Sequence, residues 1–178
     1  LESKDLERTM AILRGAGAGI VRTGEGEYAI SGVGGQPHGG SVDPLSCDVH
    51  ESGTTCRLLT AVLAAGMGRF RVHGAPRMHE RPIGELTAAL ETLGVSFTFE
   101  RKPGFPPFVL KTCGLDGGEV GIGMDESSQY LSGVLLAAPL ARAPLTINIG
   151  GSKVVSWPYV GLTLQALENF GVPFSVER

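Results

Sequence analysis

The sequence predicts an α/β fold made of repeated units, each with a strand, a buried helix, a strand, an amphipathic helix and two further strands. Three observations predict it: glycines that recur at a fixed spacing, two strongly apolar helical segments with polar starts, and short strand-like segments between the helices. The 178 residues are 42% hydrophobic and 19% charged, which is typical of a globular protein.

The period is clearest in three helical segments that each end at a glycine. These glycines, Gly17, Gly94 and Gly171, lie 77 residues apart, twice. The same offset aligns three sets of apolar residues: Leu6, Ile83 and Val160; Ile12, Ala89 and Ala166; Leu13, Leu90 and Leu167. We therefore expect three equivalent amphipathic helices, each followed by a glycine that forms a C-terminal cap at positive φ.

A second type of helix is apolar on almost every side. SGTTCRLLTAVLAAG begins at Ser52 and SSQYLSGVLLAAPLA begins at Ser127, an offset of 75 residues. Helices of this composition are buried all round. The segments RFRVHG and LTINIGG predict strands at 69–74 and 145–151, and SFTFE with FVLKT predicts a hairpin.

These elements predict a single lobe over residues 1–178, with internal repeats at approximately 1–40, 41–112 and 113–178, about two and a half units of three. The first copy begins only at its amphipathic helix. By the period, its buried helix would start about 25 residues before Leu1, which predicts that the chain is part of a longer repeat protein. The alternative is an irregular first copy.

Charge and cysteine content narrow the function classes. Fifteen basic and eighteen acidic residues give a net charge of -3 without a basic block, so we expect no nucleic-acid or membrane partner. The apolar run at 131–141 is too short to span a bilayer, and we expect a cytoplasmic protein. Cys47, Cys56 and Cys113 lack CxxC spacing, which predicts buried free thiols rather than a disulfide or a metal site.

The starts of the two buried helices are candidate anion sites. A helix N-terminus presents unpaired backbone N–H groups and a partial positive charge. Gly53 permits close approach of a ligand, and the hydroxyl of Thr54 can either cap the helix or bind a ligand oxygen. Ser127, Ser128 and Gln129 exceed what a single cap needs, which favours a ligand site.

Two arginines are candidates for binding an anion. Arg57 lies on an otherwise apolar helix face, so we expect it to have either an acidic partner or an anionic ligand. Glu51 would repel an anion unless it points away or pairs with Arg57. Arg81 precedes Pro82, which suits the first turn of the next helix, and its planar fork can bind a carboxylate or phosphate.

The third copy offers matching polar groups. Ser156 and Tyr159 can hydrogen-bond a sugar-like ring or a phosphate. Trp157 can stack on a ligand or pack against the protein.

Four collinear motifs resemble the 5-enolpyruvylshikimate-3-phosphate synthase family, whose members are 3-phosphoshikimate 1-carboxyvinyltransferases. ESGTTCRLL resembles an NAGTAMRPL-type segment and HERPIG a KERPIG-type segment. DESSQYLSGVLLAAPLA resembles VSSQFLTALLMTAPLA, and VVSWPYVGLTLQALENFGV resembles VSKPYIDITLNLMKTFGV. The resemblance implies one lobe of an inside-out α/β barrel, an enolpyruvyl transferase activity in aromatic amino acid biosynthesis, and no metal or organic cofactor.

The resemblance also implies roles for single residues. Ser127, Ser128 and Ser156 would hold the phosphate of shikimate 3-phosphate, and Tyr159 would lie against its ring. Gln129 would lie between the two substrates. Gly53 and Arg81 would contact phosphoenolpyruvate, whereas direct contacts of Thr54 and Arg57 are possible roles. No residue of this chain is a candidate catalytic acid or base, because the resemblance places those groups on a second lobe of the same enzyme.

Two departures and two rivals accompany the resemblance. Glu51 stands where the family has Asn, and Trp157 where it commonly has Lys, so either change could weaken anion binding. One rival is UDP-N-acetylglucosamine enolpyruvyl transferase, which shares the fold. The other is a non-catalytic phosphate-ligand binding module built from the same repeat.

Overall fold

A computed structural model describes residues 3–151 and 156–177 of the chain. The helices are α1 (Lys4–Gly15), α2 (Gly53–Ala64), α3 (Gly84–Glu91), α4 (Ser128–Ala137) and α5 (Trp157–Asn169). The strands are β1 (Gly19–Gly24), β2 (Glu27–Ser31), β3 (Leu45–Asp48), β4 (Met67–His73), β5 (Ser96–Phe99), β6 (Phe108–Cys113), β7 (Gly118–Gly123) and β8 (Leu145–Gly150). Short 3-10 helices occupy Pro76–Glu80 and Ala138–Leu140.

The central sheet has four strands in the order β3-β4-β6-β5. β3 pairs with β4 in parallel, and the hairpin of β5 and β6 adds antiparallel to β4. Side chains alternate along these strands, so that Phe70, Phe108 and Leu110 face the core and are fully buried. From β3 to β6 the chain runs strand, helix, strand, helix, strand, strand, which confirms the predicted fold class.

Two smaller sheets repeat the two halves of the central one. β7 and β8 pair in parallel as β3 and β4 do, and each pair is joined through a buried helix. β1 and β2 form an antiparallel hairpin after an amphipathic helix, as β5 and β6 do.

The two apolar helices α2 and α4 pack side by side. Gly133 of α4 lies against α2, because a Cβ added there would be 3.0 Å from the carbonyl oxygen of Arg57 and 3.3 Å from the Cβ of Ala61. Tyr130, Leu131 and Val134 of α4 are buried in the same core. The prediction that both helices belong to the interior is confirmed, and their polar starts lie next to each other.

The three amphipathic helices end as predicted but differ in how much they bury. Gly17, Gly94 and Gly171 have φ values of 104°, 92° and 73°, which confirms the glycine caps. The aligned apolar face is buried in α3, which contacts α2, α4, β5 and β7. In α1 and α5 it is only partly covered: Leu6 is 44% exposed, and Ala166 is exposed.

Two local predictions were wrong. Cys47 and Cys56 are buried free thiols, but Cys113 is exposed, because it ends β6 on the face that alternation turns toward solvent. Pro82 does not lie in the first turn of α3, which begins at Gly84. The backbone N–H of Ile83, the N-cap residue, instead donates to the Gly104 carbonyl at 2.9 Å, outside the helix.

Candidate functional site

The starts of α2 and α4 form one polar surface. Ser52 caps α2 by accepting a hydrogen bond from the Thr55 N–H at 3.2 Å, and Ser127 caps α4 by accepting from the Gln129 N–H at 3.2 Å. The first turns of the two helices touch each other, and so do their second turns, so the helices run parallel. Both partial positive charges therefore lie at the same end of the molecule.

A chain of hydrogen bonds joins the two helix starts. Gln129 donates from Nε2 to Thr54 Oγ1 at 2.9 Å, and Arg57 donates from Nη1 to Gln129 Oε1, also at 2.9 Å. The same guanidinium nitrogen lies 3.4 Å from Ser127 Oγ. The bonding fixes the orientation of the Gln129 amide, because only its oxygen can accept from an arginine.

Arg57 has partners of a kind that the sequence did not suggest. The guanidinium is half-buried between α2 and α4, and its carbon lies 5.2 Å from the centre of the Tyr130 ring, within range of a cation–π interaction. Of the two predicted alternatives for Arg57, no acidic partner occurs among the described residues, and an amide, a hydroxyl and an aromatic face provide its contacts; an anionic ligand stays a prediction. In the described part of the chain Glu51 is exposed and forms no ion pair with Arg57.

Gly53 and Arg81 lie against each other. A Cβ added at Gly53 would overlap Nη1 of Arg81, so the absence of a side chain lets the guanidinium cover the first residue of α2. Arg81 is exposed, with its charge beside the free N–H groups of the helix start. A cation and a helix N-terminus at the same point both favour an anion.

A surface cavity of about 460 Å³ opens beside the two helix starts. It brings together seven of the nine predicted site residues with parts of α5. Its lining residues are Thr54, Arg57, Leu58, Glu126, Ser127, Ser128, Gln129, Ser132, Ser156, Tyr159, Leu162 and Thr163. Gly53 and Arg81 are not among them; Gly53 directly precedes the lining residue Thr54, and Arg81 lies against Gly53. A mostly apolar groove of about 370 Å³ shares Thr54 and Leu58 with this cavity and runs along α1 and α2.

Ser156 enters the cavity from an unusual backbone conformation. Its φ of 60° and ψ of 41° are left-handed, a region that costs a non-glycine residue roughly 1 kcal/mol or more. It precedes α5 as the N-cap residue, yet its side chain does not cap the helix. The hydroxyl is thus free of a capping role, and Tyr159 follows one turn later, 66% exposed. The first four residues of the SKVVSWPYV motif, 152–155, lie outside the described residues.

Sequence reasoning missed two side chains of this region. Glu126 lines the cavity beside Ser127, and Tyr130 lies beneath Arg57. Burial raises the pKa of the Glu85 carboxyl, and the charges of Glu126 and Asp125 raise it further. Nothing in the apolar run of α4 indicates that Tyr130 contacts an arginine 73 residues away.

Comparison with known proteins identifies the family. The sequence profile of EPSP synthase (3-phosphoshikimate 1-carboxyvinyltransferase) matches residues 1–178.

This chain belongs to the EPSP synthase family.

Individual relatives and solved structures agree with the profile. A 3-phosphoshikimate 1-carboxyvinyltransferase from Marinomonas sp. (strain MWYL1) is 42% identical, over 97% of this chain and 40% of the relative. The protein of the same name from Nitrosomonas europaea is 41% identical, over 99% of this chain and 40% of the relative. The structure of EPSP synthase from Acinetobacter baumannii superposes with a TM-score of 0.79 at 26% identity, covering 99% of this chain and 38% of that one.

The chain therefore spans about 40% of the length of the curated relatives that it matches. The structural match agrees with the predicted fold class, one lobe of the family's fold. No helix within the described ranges is long and apolar enough to cross a membrane. Residues 3–151 and 156–177 also contain no group of three or more His, Cys, Asp or Glu side chains that could hold a metal ion.

Proposed function

We propose that this chain forms the shikimate 3-phosphate side of the active site of an enolpyruvyl transferase. The complete enzyme would transfer the enolpyruvyl group of phosphoenolpyruvate to the 5-hydroxyl of shikimate 3-phosphate and release phosphate. One observation carries the proposal: two parallel buried helices direct their N-termini at one cavity, where Arg57, Gln129 and the serines of α4 meet. Membership of the family supplies the substrates.

The polar groups of the cavity suit a phosphorylated ring. Ser127 and Ser128 at the start of α4 would hold the phosphate together with Ser156, since all three line the cavity. Arg57 lies in the same wall with its charge unpaired by any carboxylate among the described residues, so it would attract the phosphate as well. Tyr159 would cover one face of the ring.

Phosphoenolpyruvate would bind at the other edge of Gln129. Arg81 and the open backbone at Gly53 would bind its negative groups, and Gln129 would lie between the two substrates. Addition of the hydroxyl to the enol phosphate needs a proton on the methylene carbon, and the attacking hydroxyl must lose its own proton. Release of phosphate then re-forms the double bond and needs a proton to leave the new methyl group. We propose that these proton transfers, like the remaining contacts, come from a second lobe of the same enzyme.

Acceptor competition on the isolated 178-residue chain tests the substrate. We expect shikimate 3-phosphate to bind with measurable affinity by calorimetry and UDP-N-acetylglucosamine not to displace it. Preferential binding of the nucleotide sugar would instead support the rival transferase. Absence of binding by either acceptor would contradict the proposed site.

A turnover assay tests whether the chain is only part of an active enzyme. We expect no phosphate release when the isolated chain is mixed with both substrates, because the proposed proton-transfer groups lie elsewhere. The same assay on the full-length protein should show release. A full-length protein that binds the acceptor without turnover would support the non-catalytic binding module. The cytoplasmic location stays a prediction, which fractionation of cells expressing the full-length protein tests.

A further inference from the structure

Tyr130 is a fully buried aromatic residue that touches both halves of the candidate site. It lies in the first turn of α4, and its exposed fraction is 0%. Its ring and its hydroxyl have different partners, which lie on different elements.

The hydroxyl holds the segment that carries Arg81. Tyr130 Oη lies 2.7 Å from the Pro82 carbonyl oxygen, to which it donates, and 3.2 Å from Glu126 Oε2. Burial raises the pKa of Tyr130 to about 12, so the hydroxyl keeps its proton and remains a donor at neutral pH. Pro82, whose carbonyl oxygen accepts this hydrogen bond, directly follows Arg81.

The position of the Arg81 guanidinium depends on the backbone that carries it. In the part of the chain that the structure describes, Arg81 has no side-chain hydrogen-bond or ion-pair partner, and its guanidinium rests against Gly53. Three hydrogen bonds fix its backbone: Arg81 N–H to the Met78 carbonyl at 3.1 Å, Ile83 N–H to the Gly104 carbonyl at 2.9 Å, and Tyr130 to Pro82. Of these three, only the bond from Tyr130 originates in α4.

The ring supports the other arginine. With the Arg57 guanidinium 5.2 Å from its centre, the aromatic face stabilises a charge that also bonds Gln129 and Ser127. Tyr130 thus contacts Arg57 with its ring and holds the segment that carries Arg81 with its hydroxyl.

We infer that Tyr130 is a positioning residue that ties Arg81 to the start of α4, so that the two proposed substrate subsites keep a fixed separation. The inference rests on the proposed function for the identity of the ligands, but the tie itself exists in the free chain. Its two roles are separable, because phenylalanine keeps the ring and removes only the hydroxyl.

The test compares Tyr130→Phe with Thr112→Val in the 178-residue chain. Thr112 is a matched control: its buried hydroxyl donates to the Ala64 carbonyl at 2.6 Å, another long-range bond to a backbone oxygen, away from the cavity lining. Both variants lose such a bond, so both should unfold at a lower denaturant concentration than the parent chain. Only Tyr130→Phe should alter Arg81.

Arginine side-chain NMR of the ligand-free chain provides the first readout. In Tyr130→Phe we expect the Arg81 Nε–Hε resonance to shift and to report faster motion, while the Arg57 resonance stays in place. Thr112→Val should leave both unchanged. An unaltered Arg81 resonance in Tyr130→Phe would overturn the inference.

Ligand titration provides the second readout. We expect Tyr130→Phe to weaken phosphoenolpyruvate binding about five-fold, as for the loss of one hydrogen bond, and to leave shikimate 3-phosphate binding within about two-fold. Equal weakening of the binding of both ligands would overturn the inference.

If the unmodified chain binds neither ligand, the proposed function fails, and the Arg81 resonance still decides the role of Tyr130. If Tyr130→Phe does not fold, slow solvent exchange of the Tyr130 hydroxyl proton in the parent chain supports the tie, and fast exchange contradicts it.

Discussion

At the scale of single residues, Gly53 determines where the Arg81 guanidinium can lie. Gly53 is the first residue of α2, and the Arg81 guanidinium occupies the volume that a side chain at position 53 would fill. Since Arg81 is exposed and its side chain is long, a small side chain at Gly53 would displace it without disturbing the core.

We predict that Gly53→Ala weakens phosphoenolpyruvate binding by about ten-fold, equivalent to about 1.4 kcal/mol, because the guanidinium leaves the helix start. The free energy of unfolding should change by less than about 1 kcal/mol, because alanine is the better helix former. Calorimetric titration and urea unfolding measure the two effects. Gly161→Ala in α5 is the control, because a Cβ there meets open space. Unchanged phosphoenolpyruvate affinity in Gly53→Ala would show that Arg81 does not act from this position.

Single residues also mark the limit of sequence reasoning. The polar helix starts and Arg81 could be selected from the sequence, because local patterns show where a helix begins and which charge precedes it. The partners of Arg57 could not, because Ser127 and Gln129 lie 70 and 72 residues away and become neighbours only when α2 and α4 pack. Tyr130 was missed for the same reason.

At the scale of elements, the contact between α2 and α4 sets the geometry of the site. The helices approach closely at Gly133, and the hydrogen bonds of Gln129 and Arg57 form at the end of the same contact. A larger side chain at Gly133 should therefore separate the starts of α2 and α4.

We predict that Gly133→Val destabilises the chain by about 2–3 kcal/mol, because its side chain would meet the Arg57 carbonyl oxygen and the Ala61 Cβ across a well-packed contact. Shikimate 3-phosphate affinity should fall as well. Urea unfolding and calorimetry provide the measurements, with Gly161→Val as a helical glycine on an open surface. If the two valine variants are equally stable, the α2–α4 contact is not as tight as the geometry indicates.

The solvent face of the central sheet offers a prediction about pH. Arg71 on β4 donates from Nε and Nη2 to the two carboxylate oxygens of Glu100, just after β5, and this holds the pKa of Glu100 below its usual range. A carboxyl whose pKa is lower in the folded state stabilises the fold above its unfolded pKa. That stabilisation is lost as the pH falls through its folded pKa.

We predict that Arg71→Gln raises the pKa of Glu100 toward its ordinary value, as measured by carboxyl NMR titration. At neutral pH the variant should lose less than about 1 kcal/mol, since both side chains are about a third exposed and solvent screens the pair. The difference in stability should vanish in acid, below the folded pKa. Arg69→Gln, two residues earlier on β4, should leave Glu100 unchanged. A Glu100 pKa that is the same in both variants would contradict the role of the pair.

The positions of helices and their caps were predicted better than the burial of each helix by its neighbours. The apolar periods located the buried helices, and glycine spacing located the caps, because both depend on local geometry. The exposure of Leu6 and Ala166 and the start of α3 at Gly84 depend on which neighbours cover each element, and the period contains no information on this. The repeat boundaries at 1–40, 41–112 and 113–178 stay a prediction.

At the scale of the whole molecule, the chain combines one complete unit in its central sheet with sheets that repeat each half. The fold class follows from this order, and family membership agrees with it. Because the chain spans about 40% of its curated relatives, its proposed contribution is binding rather than turnover.

The most direct measurement is amide NMR mapping of shikimate 3-phosphate on the 178-residue chain. We predict that the largest shifts fall at the starts of α2 and α4 and at Ser156, with Ser127, Ser128 and Gln129 foremost, and that the ligand's phosphorus resonance shifts with them. Shifts confined to the apolar groove along α1, or spread over the central sheet with the two helix starts unaffected, would contradict the proposed site.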